Sequence, residues 1–184
     1  MLDQKKSVIS WAMYDWANSA FATTVMAGFF PIFFKEYWAA PNLPQQSTFY
    51  LGMANSLASI IVAALAPFLG AVADRGSAKK KFLFFFAFLG VVMTGSLYMV
   101  AQGHWMQAVI FYVAATVGFS GGNIFYDSLI TGVSSEKKMD FTSTLGFGLG
   151  YIGGGLLFLL NVLMFQFPAF FGISGKVMAI KLSF

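Results

Sequence analysis

This chain of 184 residues is 58% hydrophobic and only 10% charged, whereas an ordinary soluble domain is about 45–50% apolar and about 25% charged. A soluble globule of this size cannot bury so much apolar surface, and 23 phenylalanines with so little charge exclude a disordered chain. The absence of cysteine excludes disulfides and thiolate metal sites, and the net charge of +4 does not indicate nucleic-acid binding, because the basic residues form short clusters between apolar runs.

Five membrane-spanning helices are predicted along the chain. A helix needs about 20 apolar residues to cross the hydrocarbon core of a bilayer, and every backbone amide in lipid must bond within its own segment. The apolar runs divide at polar or turn-forming segments such as Gln102-Gly103-His104. We therefore expect an all-α, multi-pass (polytopic) membrane protein with one membrane domain over residues 1–184. Its predicted spans are about 8–34, 48–73, 82–101, 105–130 and 143–167.

The basic residues predict the orientation of these spans. Eight lie on the side that contains the N-terminus: Lys5, Lys6, Arg75, Lys79, Lys80, Lys81, Lys137 and Lys138. Three lie on the other side: Lys35, Lys176 and Lys181. The positive-inside rule therefore places the N-terminus in the cytoplasm, and we expect the cell (inner) membrane. Five spans put the two termini on opposite sides, and residues 176–184 resemble the start of another helix, so we expect the chain to be cut before a sixth span.

Polar residues indicate which spans avoid lipid, because each costs several kcal/mol in hydrocarbon unless it faces protein or water. The fourth span carries polar residues on one helical face: Thr116, Ser120, Asn123 and Asp127. In the first span, Asp15 and Asn18 share a face. We expect the first and fourth spans to line a cavity, the second and fifth to be packed, and the third to be peripheral.

Asp15 is the most informative of these polar residues, since it lies about 14 Å along a helix from Lys6 at 1.5 Å per residue. A carboxylate at that depth can bind a substrate amine or exchange a proton. The alternative is a structural acid stabilised by the helix dipole or by a donor on a neighbouring helix. The candidate substrate or proton pathway is completed by four more residues: Asn18, Asn123, Tyr126 and Asp127. For Asn18 and Asn123 we favour the alternative, which is that they form interhelical hydrogen bonds.

The fifth span is rich in glycine, and glycines spaced four apart let two helix backbones approach closely. The predicted packing glycines are Gly146, Gly150, Gly154 and Gly155. Residues 148–153 also match a dinucleotide fingerprint, but no strand precedes them and they lie in a charge-free apolar run. We therefore expect no cofactor, and nucleotide-driven transport is not supported because no phosphate-binding loop occurs.

Several segments resemble known membrane transporters. Residues 70–80, with Gly70, Asp74, Arg75, Lys79 and Lys80, resemble the loop between helices two and three of the major facilitator superfamily. Residues 11–21, 123–129 and 148–154 are similar to three blocks of the autophagy-related vacuolar amino-acid effluxers and their bacterial relatives, and they occur in the family's order. The resemblance covers nearly the whole chain.

This resemblance implies a twelve-helix transporter of two six-helix halves, of which the chain would be most of the first. It implies a secondary transporter, not an enzyme, that moves a small polar solute by alternating access, with amino acids as candidates. Its partners would be the lipid bilayer, the small-molecule solute and the missing C-terminal half, with no nucleic acid. It further implies that Gly70, Asp74, Arg75, Lys79 and Lys80 form a cytoplasmic gate, although the same charges would suit an ordinary basic loop.

Two other classes of function are considered. The pairs Tyr14-Asp15 and Tyr126-Asp127 could suggest an intramembrane aspartyl protease, whose two carboxylates share a proton. The G-x-G-D and Pro-Ala-Leu segments that such proteases carry are missing from this sequence. A truncated, non-transporting membrane subunit is the other alternative, since half of a transporter lacks half of the cavity.

Overall fold

Five long helices dominate the computed structural model of the protein, which describes residues 2–39, 46–74 and 78–184. They are α1 (Lys5–Ala39), α2 (Ser47–Asp74), α3 (Lys79–Met99, whose last turn Leu97–Met99 is a 3₁₀ helix), α4 (Trp105–Val133) and α5 (Glu136–Gln166). A short helix, α6 (Lys176–Lys181), follows a 3₁₀ turn at Pro168–Phe171. No strand occurs within these ranges. All five long helices are long and apolar enough to cross a membrane, which confirms the predicted number of spans.

Alternating helix directions give the bundle two ends. The N-terminal end contains the start of α1 and the connections from α2 to α3 and from α4 to α5, whereas α6 lies at the opposite end. The predicted boundaries differ from the observed ones most at α5, which begins at Glu136 rather than near residue 143. The seven added residues matter because they bring further polar side chains into the bundle.

α1 is not a uniform α-helix. It passes through wider π-helical turns at Phe21–Phe29 and Phe34–Ala39, and the amide of Phe30 donates its hydrogen bond to the carbonyl of Val25, five residues back. Pro31 follows directly, and a proline lacks an amide hydrogen and clashes with the carbonyl four residues before it. Wider turns are a local adjustment that lets the helix continue past the proline.

Three helix pairs hold the bundle together: α1 with α5, α3 with α4, and α2 with α4. Glycine permits the closest of these contacts. A Cβ atom at Gly118 of α4 would lie 2.6 Å from the backbone nitrogen of Gly90 in α3, so the two backbones touch directly. Phe86 is 7% exposed and packs against Gly121 of α4. α3 therefore has one packed face and does not contact lipid all round.

The prediction that the small residues of α2 are packed is wrong for its glycines. Ala54 and Ala58 form its buried face, whereas Gly52 and Gly70 have no heavy atom within 4 Å of an added Cβ. The stripe of small or weakly polar residues on α2 that suggested packing (Gly52, Asn55, Ser59, Ala63, Ala66 and Gly70) therefore points mostly away from the bundle. One member of that stripe, Asn55, accepts a hydrogen bond of 2.8 Å from the hydroxyl of Tyr112 in α4.

The apolar core lies towards the end of the bundle opposite the N-terminus. Phe30 of α1 stacks on Tyr112 of α4 with ring centroids 3.8 Å apart, and both residues are buried. The final segment of the chain closes this core, because Phe184 stacks on Trp38 at 5.5 Å and the ammonium of Lys181 donates to the carbonyl of Val100 at 3.0 Å.

At the N-terminal end, Asp3 connects the start of the chain to the loop between α4 and α5. Its Oδ1 accepts a hydrogen bond of 2.9 Å from the amide of Ser135, and its Oδ2 accepts one of 2.8 Å from the hydroxyl of the same residue. The amide of Asp3 donates to the carbonyl of Val133 at 2.9 Å. Since the amide of Ser135 lies at the start of α5, Asp3 satisfies a donor that the helix itself leaves unpaired.

This connection predicts a local dependence on pH. The hydrogen bonds from the amide and hydroxyl of Ser135 hold the pKa of Asp3 below its usual value of 3.8. Asp3 is therefore ionised and its hydrogen bonds to Ser135 are fully formed above pH 3.8. They are lost as the pH falls through the lowered pKa of Asp3 in the folded protein. We expect the Ser135 amide to lose hydrogen-exchange protection in Asp3→Ala, which removes the acceptor, and in the unmodified chain only at strongly acidic pH. Equal protection in Asp3→Ala at neutral pH would contradict this role, and Glu136→Gln is the control.

Candidate functional site

Three helices line a polar cavity of about 520 Å³ near the N-terminal end of the bundle. α1 contributes Trp11 and Asp15, and α4 contributes Asn123, Tyr126, Asp127 and Ile130. The remaining lining residues come from α5: Met139, Asp140, Ser143 and Phe147. Three carboxylates therefore face one space, and no lysine or arginine is among the residues that line it.

Four of the five candidate pathway residues line this polar cavity, namely Asp15, Asn123, Tyr126 and Asp127. The fifth, Asn18, lies behind it. Its amide donates a hydrogen bond of 2.7 Å to the side-chain oxygen of Asn123, and Asn18 itself lines a second, mostly apolar cavity of about 290 Å³ between α1 and α3. Asn18 thus forms the interhelical hydrogen bond that we considered as the alternative to a role in the pathway.

Aromatic stacking supports one wall of the polar cavity. Trp11 stacks on Tyr126 with ring centroids 4.3 Å apart, and Tyr14 stacks on the same ring at 4.8 Å. The indole N–H of Trp11 also donates to the backbone carbonyl of Tyr126 at 3.1 Å. These contacts fix the start of α1 against the last turns of α4, so the two helices that carry Asp15 and Asp127 are held together.

Two buried hydroxyl groups at this wall have no hydrogen-bond partner, those of Tyr14 and Tyr126. Tyr126 is only 6% exposed, and an unpaired hydroxyl in such a place costs about 1–3 kcal/mol. The Tyr126 side chain lines the polar cavity.

The glycines of α5 bring that helix onto α1 beside the polar cavity. A Cβ at Gly150 would lie 2.8 Å from a carboxylate oxygen of Asp15, and one at Gly146 would lie 2.6 Å from the Trp11 ring. Gly154 and Gly153 contact α1 in the same way. A Cβ at Gly153 would lie 2.5 Å from the carbonyl oxygen of Trp16. Gly155 has nothing within 4 Å, so Gly153 and not Gly155 belongs to this contact. The helical repeat explains the difference, since residue 155 turns away from the face that carries 146, 150 and 153.

Six lining residues were not predicted as site residues, and three of them carry polar groups: Trp11, Asp140 and Ser143. Asp140 and Ser143 lie three positions apart on α5 and share a face with Phe147, four positions further on. The sequence carries this signal, but the predicted fifth span began at residue 143, so Asp140 was assigned to a loop. A helix extended back to the Ser134-Ser135 turn would have placed it correctly.

The candidate gate is described only in part. Arg75 lies outside the described residues. Asp74 ends α2 and is exposed, as is Lys80, and Gly70 faces open space. Lys79 is engaged, because its ammonium donates to the carbonyl of Ser128 in α4 at 3.0 Å. That contact places a cation near the carboxyl end of α4, where the helix dipole favours it.

The hydrogen bond between Asn18 and Asn123 predicts a measurable coupling between α1 and α4. We expect Asn18→Ala and Asn123→Ala to be non-additive in the free energy of unfolding, by about 0.6 kcal/mol and at most about 1.7 kcal/mol, as for other polar pairs between membrane helices. A double-mutant cycle in detergent micelles, followed by circular dichroism, measures the coupling. Strictly additive effects would show that this bond contributes nothing.

No group of three His, Cys, Asp or Glu side chains in the described ranges is close enough to hold a metal ion. The polar cavity is an acidic, aromatic-walled space between helices that are long and apolar enough to span a membrane.

Comparison with known proteins gives the family. The model of the "Vacuole effluxer Atg22 like" family matches residues 44–140. An uncharacterized MFS-type transporter of Bacillus subtilis (strain 168), YxiO, is 42% identical over 154 residues, which are 83% of this chain and 36% of that protein. An uncharacterized protein of Aquifex aeolicus (strain VF5) is 23% identical over 172 residues, 94% of this chain and 42% of that protein.

The chain thus spans less than half the length of these two relatives. No solved structure matches it. The family match covers more than half of the chain, and it includes α2, α3 and α4 with the Asn123, Tyr126 and Asp127 side of the polar cavity. This multi-pass membrane chain therefore belongs to the vacuole effluxer Atg22-like family of the major facilitator superfamily.

Proposed function

We propose that the chain is part of a secondary transporter that moves a small polar solute by alternating access, with amino acids as the first candidates. The observation that carries the proposal is the polar cavity within α1, α4 and α5. Ionisable residues inside membrane spans are costly and are usually kept for substrate or proton pathways. Membership of a transporter family favours this reading over an enzyme.

In this proposal Asp15 is the principal binding group. It lies ten residues beyond the start of α1, about 15 Å into the bundle, and it accepts a long hydrogen bond of 3.5 Å from the Ser19 hydroxyl. Its carboxylate can therefore accept a hydrogen bond from the amine of a solute or carry a proton. Asp127 and Asn123 face the same space from α4, and the Tyr126 side chain forms part of its wall.

A second helical half would complete the cavity. The polar cavity is open on one side, where Phe147 is 63% exposed and the neighbouring Tyr151 is 78% exposed. The greater length of both relatives leaves room for such a half. Alternating access then requires the two halves to rock about the solute site.

We further propose that the N-terminal end of the bundle faces the cytoplasm of a cell (inner) membrane, since this end holds most of the lysines. The connection from α2 to α3 would then form a cytoplasmic gate that includes Asp74, Arg75 and Lys80. The contact of Lys79 with Ser128 ties this connection to α4, so a movement of the gate would reach the helix that carries Asp127.

Solute flux tests the proposal. The complete protein is reconstituted in proteoliposomes, and exchange of radiolabelled amino acids and other small polar solutes is measured in both directions. We expect saturable exchange of at least one solute. Absence of exchange by a folded protein would favour a non-transporting subunit, and cleavage of a membrane peptide substrate would favour the aspartyl protease.

A further inference from the structure

A groove distinct from the polar cavity lies between the first turns of α1 and α5. Its volume is about 420 Å³, and we call it the basic groove. It is lined by two lysines, Lys5 from α1 and Lys138 from α5. The other lining residues are Asp3, Val8, Ile9, Phe141, Thr142 and Leu145.

The two helices build the basic groove with the same pattern. In α1 the apolar residues Val8 and Ile9 follow Lys5 by three and four positions, and in α5 Phe141 and Leu145 follow Lys138 by three and seven. Residues at these spacings share a helical face. Since α1 and α5 both start at the N-terminal end, the lysines lie at the mouth and the apolar walls extend about 10 Å into the bundle from them.

The charged side chains that line the basic groove are Lys5, Lys138 and Asp3, which sum to +1. The carboxylate of Asp3 keeps its charge and interacts electrostatically with Lys138, while it accepts hydrogen bonds from the amide and hydroxyl of Ser135 and, at 3.3 Å, from the hydroxyl of Ser134. Lys5 and Lys138 are exposed. The apolar walls are exposed as well, with Phe141 at 68% and Ile9 at 43%.

We propose that the basic groove binds one anionic phospholipid, with its phosphate between Lys5 and Lys138 and one acyl chain along Val8, Ile9, Phe141 and Leu145. Basic pockets between membrane helices near the headgroup level bind anionic lipids in this way. Charge complementarity selects the headgroup, and the apolar walls select a lipid over a free phosphate. This proposal is independent of the transported solute.

Native mass spectrometry of the full chain tests the proposal. The protein is purified in mild detergent and titrated with phosphatidylglycerol or phosphatidylcholine. We expect one tightly retained phosphatidylglycerol, and an apparent affinity about thirty-fold weaker in Lys5→Gln/Lys138→Gln, which corresponds to about 1 kcal/mol for each lysine. The matched control is Lys6→Gln/Lys137→Gln, because it removes the same charge from the neighbouring positions outside the groove.

Two further measurements separate the parts of the site. Phe141→Gln, at an exposed position, should weaken phosphatidylglycerol retention without changing the fold, which circular dichroism checks. Glycerol 3-phosphate, which has the headgroup phosphate and no acyl chain, should not be retained. Equal retention of both phospholipids, or an equal loss of affinity in the control variant, would overturn the proposal.

Discussion

Replacing Gly118 by alanine is expected to lower the free energy of unfolding of the bundle by about 1–3 kcal/mol, the usual cost of overpacking. The added methyl would lie 2.6 Å from the nitrogen of Gly90 and 2.8 Å from the carbonyl oxygen of Phe86. Both are backbone atoms, so no side-chain rotation relieves the clash and α3 must move away from α4. Denaturation of the folded chain by sodium dodecyl sulfate, followed by circular dichroism, gives the change in the free energy of unfolding.

Gly148→Ala is the matched control for this prediction. It is also a helical glycine, but an added Cβ there meets nothing within 4 Å, so only the better helix propensity of alanine remains, worth up to about 1 kcal/mol in its favour. If Gly118→Ala were as stable as Gly148→Ala, the backbone contact between α3 and α4 would not be essential to the fold.

Asp15→Asn is expected to lower solute flux by about ten-fold to a hundred-fold in the complete protein. The substitution keeps the size of the side chain and removes its charge, and a hydrogen bond to a charged group is worth about 1.5–3 kcal/mol. Initial rates of uptake into proteoliposomes, with Asp127→Asn measured alongside, test this role.

Glu136→Gln is the control for the charge change, because Glu136 starts α5 and does not line the polar cavity. A flux in Asp15→Asn equal to that of Glu136→Gln would remove Asp15 from the transport pathway. It would leave the structural interpretation of this carboxylate, beside Ser19 and Gly150, as the better one.

The arrangement of helices follows from the sequence where the physical signal is long and simple. Apolar runs of membrane length give five spans, and the spacing of Asn123 and Asp127 places them on one face of α4, where both now line the polar cavity. Asp15 is a charge inside an apolar run, and its cost in lipid predicts a protected position. The glycine-rich face of α5 is similarly predictable from the small size of its residues.

Other features depend on atoms that hydropathy does not describe. The helix start at Glu136 is fixed by Asp3 and Ser135, which are far apart in sequence, so Asp140 was left outside the predicted span. The choice between Gly153 and Gly155 depends on the rotation of α5 against Trp16, and glycine spacing alone does not determine it. The small-residue stripe of α2 looks like a packing face, yet Ala54 and Ala58 pack while Gly52 does not.

The proposed function depends on Asp15 of α1 and Asn123 and Asp127 of α4 facing a shared, water-accessible space and not lipid. The chain contains no cysteine, so single cysteines can be introduced without background and labelled with a membrane-impermeant thiol reagent in permeabilised membranes. The account predicts rapid labelling of Asp127→Cys and Asp140→Cys and little labelling of Phe84→Cys, whose parent side chain is 71% exposed on the outer face of α3. Rapid labelling at 84 together with protection at 127 and 140 would contradict it.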